Sequence, residues 1–238
     1  MRAPTVATVF ARSLAFAFAL AAVPGLAHAD PPKAPVPVPV PVIVAAMGDS
    51  LTDARSHGGK FLDLLHQRCP KSQFDNYGKG GQMVNQMRYR FDDDVFGPGK
   101  PAYTHVIVFG GVNDLYSDLT AGRTPALIER DLAFMYQEAR RHGAKVVAVT
   151  VAPWGGFTRY FNASRLAATL EVNRWIVAQR EAGTVDAVID AYSLLSCGDP
   201  TVLCPAFTAP FKDGLHFGGE GHERLGEAMF AQVFSGCA

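Results

Sequence analysis

After residue 42 the chain alternates short apolar runs with apolar residues at helical spacing. Val42 to Met47 is a continuous apolar run closed by Gly48, the pattern of a strand covered on both faces. Phe61, Leu64, Leu65 and Arg68 then follow helical spacing as far as Cys69-Pro70. Ser72 to Tyr77 and Thr104 to Phe109 predict a second and a third strand. Thr124-Pro125 predicts a helix start, because a threonine oxygen caps free N–H groups and proline suits the first helical position. Ile128, Leu132, Met135 and Ala139 mark the buried stripe of that helix, and Gly143 its left-handed end. Lys145 to Val151 predicts a fourth strand. Ser164 is expected to cap the next helix, with Leu166, Leu170, Asn173 and Val177 on one face until Gly183. Val185 to Ile189 predicts a fifth strand and Glu220 to Phe234 a last helix. Repeated strand and helix alternation implies one α/β domain over residues 42–238, with a central parallel sheet and helices on both faces.

The chain before residue 42 has a different pattern. Arg2 and Arg12 precede the apolar run Leu14 to Ala22, followed by Pro24-Gly25 and Ala27-His28-Ala29. That is the layout of an export signal over residues 1–29, cleaved between Ala29 and Asp30. An uninterrupted run this short falls well below the ~20 residues needed to span a bilayer, so no integral membrane segment is expected after cleavage. From Pro31 to Val42 valine alternates with proline, which fixes φ and donates no ladder hydrogen bond. Residues 30–41 therefore read as an extended polyproline II spacer of roughly 34 Å.

Composition narrows the partners. The formal net charge is zero and becomes −2 once Arg2 and Arg12 leave with the signal, so no net positive charge exists to neutralise nucleic-acid phosphates. With 48 % hydrophobic and 18 % charged residues, disorder is excluded as the state of the main domain. All four cysteines follow the signal, and an even count in an oxidising compartment implies two disulfides. Cys197 and Cys204 bracket a Gly198-Asp199-Pro200 turn and are expected to pair, leaving Cys69 with Cys237. No Cys-x-x-Cys spacing supports a metal site, and neither metal nor organic cofactor is expected. The expected location is periplasmic or secreted, and the expected state a monomer.

In open parallel sheets ligands bind beyond the carboxyl ends of the strands. Gly48-Asp49-Ser50, Gly78 to Gly81, Gly110 to Asp114 and Pro153 to Phe157 occupy those places. Ser50 needs a base to become nucleophilic. His57, His66, His105 and His142 have no carboxylate at a telling offset, and His222 reads as a first-turn helix residue without a role. His216 follows Asp213 by three residues, so one turn of chain can bring carboxylate and imidazole together. Candidate oxyanion donors are the N–H of Ser50, an N–H of the Gly80-Gly81 pair and the side-chain amide of Asn113. Asp49, Asp114, Gly78 and Gly110 are read as shaping their loops. Trp154 and Phe157 are candidate walls of a substrate site, with Tyr116 beside the Asn113 block and Phe161 and Phe207 as further acyl-channel candidates. Asn162-Ala163-Ser164 is a glycosylation sequon that matters only in a host that glycosylates.

Gly48-Asp49-Ser50-Leu51, Asn76 to Gly81, Gly111-Val112-Asn113-Asp114 and Asp213-Gly214-Leu215-His216 together resemble, in order, the sequence blocks of the GDSL or SGNH hydrolases. The resemblance implies a flavodoxin-like three-layer α/β/α fold. It also implies Ser50 as nucleophile, His216 as base, Asp213 as its orienter, and Ser50, Gly81 and Asn113 as the oxyanion hole. The expected function is then exported hydrolysis of a small ester or an acylated glycan or lipid through an acyl-enzyme. A carbohydrate O-acetylesterase, an acyltransferase or a non-catalytic carbohydrate-binding relative are the alternatives.

Overall fold

The computed structural model describes residues 39–238. The expected signal over 1–29, its cleavage site and the spacer as far as Val38 lie outside them. The sheet and its helices follow in order: β1 (Ile43–Gly48), α1 (Lys60–Arg68), β2 (Gln73–Gly78), α2 (Val84–Phe91), β3 (His105–Phe109), α3 (Val112–Tyr116), α4 (Asp118–Ala121), α5 (Pro125–Arg141), β4 (Lys145–Val149), α6 (Ala163–Glu181) and β5 (Ala187–Ile189). Then come α7 (Ala191–Leu194), the short strands β6 (Ser196–Cys197) and β7 (Asp199–Leu203), and α8 (Gly219–Met229).

Five parallel strands are ordered β2-β1-β3-β4-β5. Both faces of β1, β3 and β4 are covered, which is why they read as apolar runs, whereas the edge strand β2 carries Gln73, Asp75 and Asn76 and buries none of its residues fully. Ala45, Met47, Val106, Val108, Val146 and Ala148 face a core completed by α2, α5 and α6. Their neighbours Val44, Ala46, Ile107, Phe109, Val147 and Val149 face a second core with α1 and α8. The alternation is the two-residue period of a pleated strand. Chain order reverses between β1 and β3, so the crevice beyond their carboxyl ends is the switch point of the sheet.

Four expectations shift. β4 stops at Val149 because the Asn173 side chain takes over the backbone of Val151, accepting its N–H at 2.8 Å and donating to its carbonyl at 3.0 Å. β5 starts at Ala187, since the Val185 N–H closes the preceding turn onto Gln179. Asn162, not Ser164, caps α6 by accepting the Arg165 N–H at 3.0 Å. Asparagine and serine cap about equally well, so geometry chooses between them. The face of α6 is also rotated from the expected one: Thr169, Val172, Asn173 and Ile176 are buried, while Val177 is exposed.

Both disulfides form as expected, with Cα–Cα separations of 5.5 Å for Cys69–Cys237 and 4.9 Å for Cys197–Cys204. The last residues of the spacer are tied down: Val40 donates to Gly236 at 3.0 Å and accepts from Ala238 at 3.2 Å. Among the described residues no helix is long and apolar enough to cross a membrane.

Candidate active site

Ser50 stands two residues past β1, on a turn closed by the Thr52 and Asp53 N–H groups donating to the Asp49 carbonyl at 3.1 and 2.9 Å. Gly48 has to be small there, because a Cβ would lie 2.2 Å from Thr52 Oγ1. Asp49 is fully buried, and its Oδ1 accepts the Leu51 N–H at 2.9 Å. Burial pushes its carboxyl up to about 7, against the opposing pull of the Leu51 N–H and the field of His216.

The second half of the site is the loop before α8. Asp213 Oδ1 accepts the N–H groups of Leu215 and His216, each at 2.9 Å, which folds the loop around the carboxylate. Its Oδ2 lies 2.7 Å from His216 Nδ1, and His216 Nε2 lies 2.9 Å from Ser50 Oγ. Burial raises the Asp213 carboxyl, but the hydrogen bonds from the His216 ring and from the loop N–H groups outweigh it and hold it below the usual range. It is therefore a carboxylate that can stabilise an imidazolium. The loop rests on a glycine pair: Gly214 has φ +74°, and a Cβ on it would meet the Gly156 backbone at 2.0 Å. Gly156, read from sequence only as part of a substrate loop, is thus the seat of the histidine loop.

The structure separates Gly80 from Gly81. Asp53 Oδ2 accepts the Gly80 N–H at 2.9 Å, so that donor is occupied. Gly81, at φ +75°, and Ser50 have no partner for their N–H groups among the described residues. Asn113, in the first turn of α3, donates to the Gln82 carbonyl at 2.9 Å and lies 3.3 Å from Asp49 Oδ2. Asp114 accepts the Val84 N–H at 2.8 Å and pairs with Arg123 at 2.6 Å, which anchors α2 and α3. Gly78 and Gly110 likewise leave no room for a Cβ, against Asp53 and Met87 respectively. The loop-shaping role expected of Asp49, Asp114, Gly78 and Gly110 agrees with these contacts.

Ser50, Gly81, Asn113, Asp213 and His216 share one cavity of about 860 Å³, and Tyr116 and Phe157 line it too. Trp154 does not. It is fully buried, with its indole N–H donating to Thr169 Oγ1 at 3.0 Å, so the expectation that it walls a substrate site is corrected. Phe161 packs edge-on against Trp154, and Phe207 packs on the core beside α8. The sequence reading missed Arg55, Ser56, Lys79 and Phe211, which also line the cavity. Lys79 had a signal, adjacency to the glycine pair; Phe211 had none. His222 is enclosed by Phe61 and Phe217, and burial lowers it to about 3. Among the described residues no group of three or more His, Cys, Asp or Glu is placed to hold a metal.

A family model of GDSL-like lipases and acylhydrolases matches residues 46–224. A GDSL-like lipase from Bacteroides thetaiotaomicron superposes with a TM-score of 0.67 at 22 % identity, over 81 % of this chain and 88 % of that one. The lipase/acylhydrolase from Enterococcus faecalis gives 0.64 at 22 %, over 82 % and 96 %. A catalytic mutant of an acetylxylan esterase from Geobacillus stearothermophilus gives 0.64 at 16 %, over 83 % and 96 %. At such identities these likenesses show a common fold. No curated protein sequence matches this chain.

Proposed function

Because the chain belongs to the GDSL-like lipase and acylhydrolase family, we propose that it is an exported serine hydrolase of carboxylic esters with short acyl groups. The observation that carries this reading is the chain of contacts Ser50 Oγ to His216 Nε2 at 2.9 Å and His216 Nδ1 to Asp213 Oδ2 at 2.7 Å. Ser50 attacks the ester carbonyl as His216 takes its proton, and Asp213 steadies the imidazolium. The negative oxygen of the tetrahedral intermediate accepts from the free N–H groups of Ser50 and Gly81. The Asn113 hydrogen held only by the long contact to Asp49 is the third donor. His216 then protonates the leaving alcohol, and the acyl-enzyme forms. In the second half His216 activates water, which attacks the acyl carbon and releases the acid and free Ser50.

The short acyl group is supported by what the cavity lacks. Phe161 and Phe207 do not line it, and the phenylalanines that do are Phe157 and Phe211. An acetylxylan esterase on the same fold is consistent with this size. Export is supported by the leader-like composition of residues 1–29 and by the two disulfides.

The test is hydrolysis of acetyl, butyryl, octanoyl and palmitoyl nitrophenyl esters by the natural protein and by Ser50→Ala. The rate is expected to peak at acetyl and to fall by on the order of 10⁴ to 10⁶-fold in the variant. Near-natural turnover by Ser50→Ala would overturn the mechanism, and a palmitoyl optimum would overturn the short acyl group.

A further inference from the structure

The cavity around Ser50 has two unlike walls. Tyr116 and Phe157, which pack edge-on at 5.9 Å, make one of them aromatic, whereas Arg55 and Lys79, which have no part in the steps above, also line the cavity. Together with Asp53, the two cations also line an adjoining cleft of about 340 Å³ that continues past Asn76, Gly78 and Asp94. The nucleophile's cavity and a second cleft that carries Asp53, Asn76 and Asp94 thus share the two cations between them.

These two cations keep hydrogen-bond donors that their neighbours leave unused. Asp53 already accepts from the backbone N–H groups of Arg55 and Gly80 and from the Ser56 hydroxyl, besides Arg55 Nε at 3.2 Å. Asp94 is shared between Lys79 at 3.1 Å and the buried Arg90 at 2.7 Å. Arg55 and Lys79 are thus matched in number by Asp53 and Asp94, but Asp53 is filled by backbone and hydroxyl donors and Asp94 is shared with the buried Arg90. Asp213, the other carboxylate of the cavity, has both oxygens engaged by its own loop. Arg55 touches Asp53 through Nε alone and is 79 % exposed on its side chain, so its terminal amino groups are free. The Lys79 ammonium spends one of its three donors on Asp94.

We propose that the alcohol part of the ester carries an anion, a carboxylate or a phosphate, that docks between Arg55 and Lys79 while the acyl group lies against the aromatic wall. This rests on the ester-hydrolase reading given above. The larger, hydrated part of such a substrate fits the polar cleft, and a short acyl group needs no second cleft.

A matched pair of esters tests it: 4-acetoxybenzoate and methyl 4-acetoxybenzoate share the acetyl group and the aryl frame and differ by one carboxylate. With each rate divided by that of alkaline hydrolysis, kcat/KM at low salt is expected to favour the anion by ~10-fold, and high salt to erase the preference. The double variant Arg55→Gln, Lys79→Gln is expected to lose it. The readout is the ratio, because damage to the fold slows both esters alike. A ratio near one in the natural protein, or one that survives in the double variant, overturns the proposal and leaves ester hydrolysis standing. Acetylglycerol phosphate against monoacetylglycerol supplies the phosphate arm. A larger ratio in that pair assigns a phosphate-bearing alcohol, and a larger one in the benzoate pair assigns a carboxylate-bearing alcohol such as an acidic sugar. Failure of every ester to turn over would sink the hydrolase reading. Calorimetry of 4-acetoxybenzoate on the Ser50→Ala protein then decides the anion site alone. Salt-sensitive binding that the two Gln changes abolish supports the site, and binding no tighter than that of the methyl ester overturns it.

Discussion

Asn113 holds two hydrogens on one amide, and their partners differ in quality. The Gln82 carbonyl fixes the first at 2.9 Å, while Asp49 approaches the second only to 3.3 Å. Truncating Asn113 to alanine removes one oxyanion donor and leaves the Ser50 and Gly81 N–H groups in place. For Asn113→Ala kcat is expected to drop by ~10² to 10³-fold with KM little changed, measured on an acetyl ester. Asp49 acts on stability instead. Burial lifts its carboxyl from 3.8 to about 7, so across that interval the folded chain keeps a proton that the unfolded chain has released. Its contribution to stability therefore falls as pH rises through the interval. Asp49→Asn removes this slope, so the thermal midpoint of the variant should gain on that of the natural protein between about pH 4 and about pH 7. Parallel calorimetric curves would contradict it. At this scale the contact chain Ser50–His216–Asp213 was legible because the spacing and order of these residues predict it. The choice of Gly81 over Gly80 was not legible without the family pattern. It depends on Asp53, far from the pair in sequence, reaching the Gly80 N–H.

Elements inherit their placement from periodicity, and they fail where two periodic readings compete. The inner strands were legible because each is apolar on both faces, and only the edge strand β2 departs from that pattern. The face of α6 was not, because Leu166, Leu170 and Val177 form a stripe as regular as the Thr169, Val172 and Ile176 stripe that is buried. Packing settles such a tie, and here Asn173 bonding to Val151 and Thr169 bonding to Trp154 do so. α2 went unread although Val84, Met87 and Phe91 repeat at helical spacing. The polar residues between them, Asn85, Gln86, Arg88 and Arg90, masked the stripe. Ionic contacts between elements are invisible to any periodicity. Arg123 is buried between Asp114 at 2.6 Å and Asp131 at 2.7 Å, joining α3 to α5. Arg123→Met strips both carboxylates of that cation in a buried setting. Urea unfolding is expected to show a loss of about 3–5 kcal/mol, since a broken buried pair costs more than the intact pair contributes. A loss within the range of a surface change would show the network to be dispensable.

For the whole molecule, the two disulfides close loops of very different length, with separations of 168 and 7 residues. Loop-closure entropy then assigns about 5 kcal/mol to Cys69–Cys237 and about 2 kcal/mol to Cys197–Cys204. Replacing Cys69 and Cys237 by serine should lower the thermal midpoint clearly more than replacing Cys197 and Cys204. Equal losses would show that unfolded-chain entropy is not what the long bridge limits. That bridge and the pairing of Val40 with Gly236 and Ala238 gather both ends of the folded region at the start of β1, while Ser50 lies past its other end. The Ser50 cavity and the attachment points thus occupy opposite poles of the sheet. A bead, a fusion partner or a cell-surface anchor joined at either end holds the molecule by its back, with the Ser50 cavity turned outward, whereas coupling through Lys79 would block it.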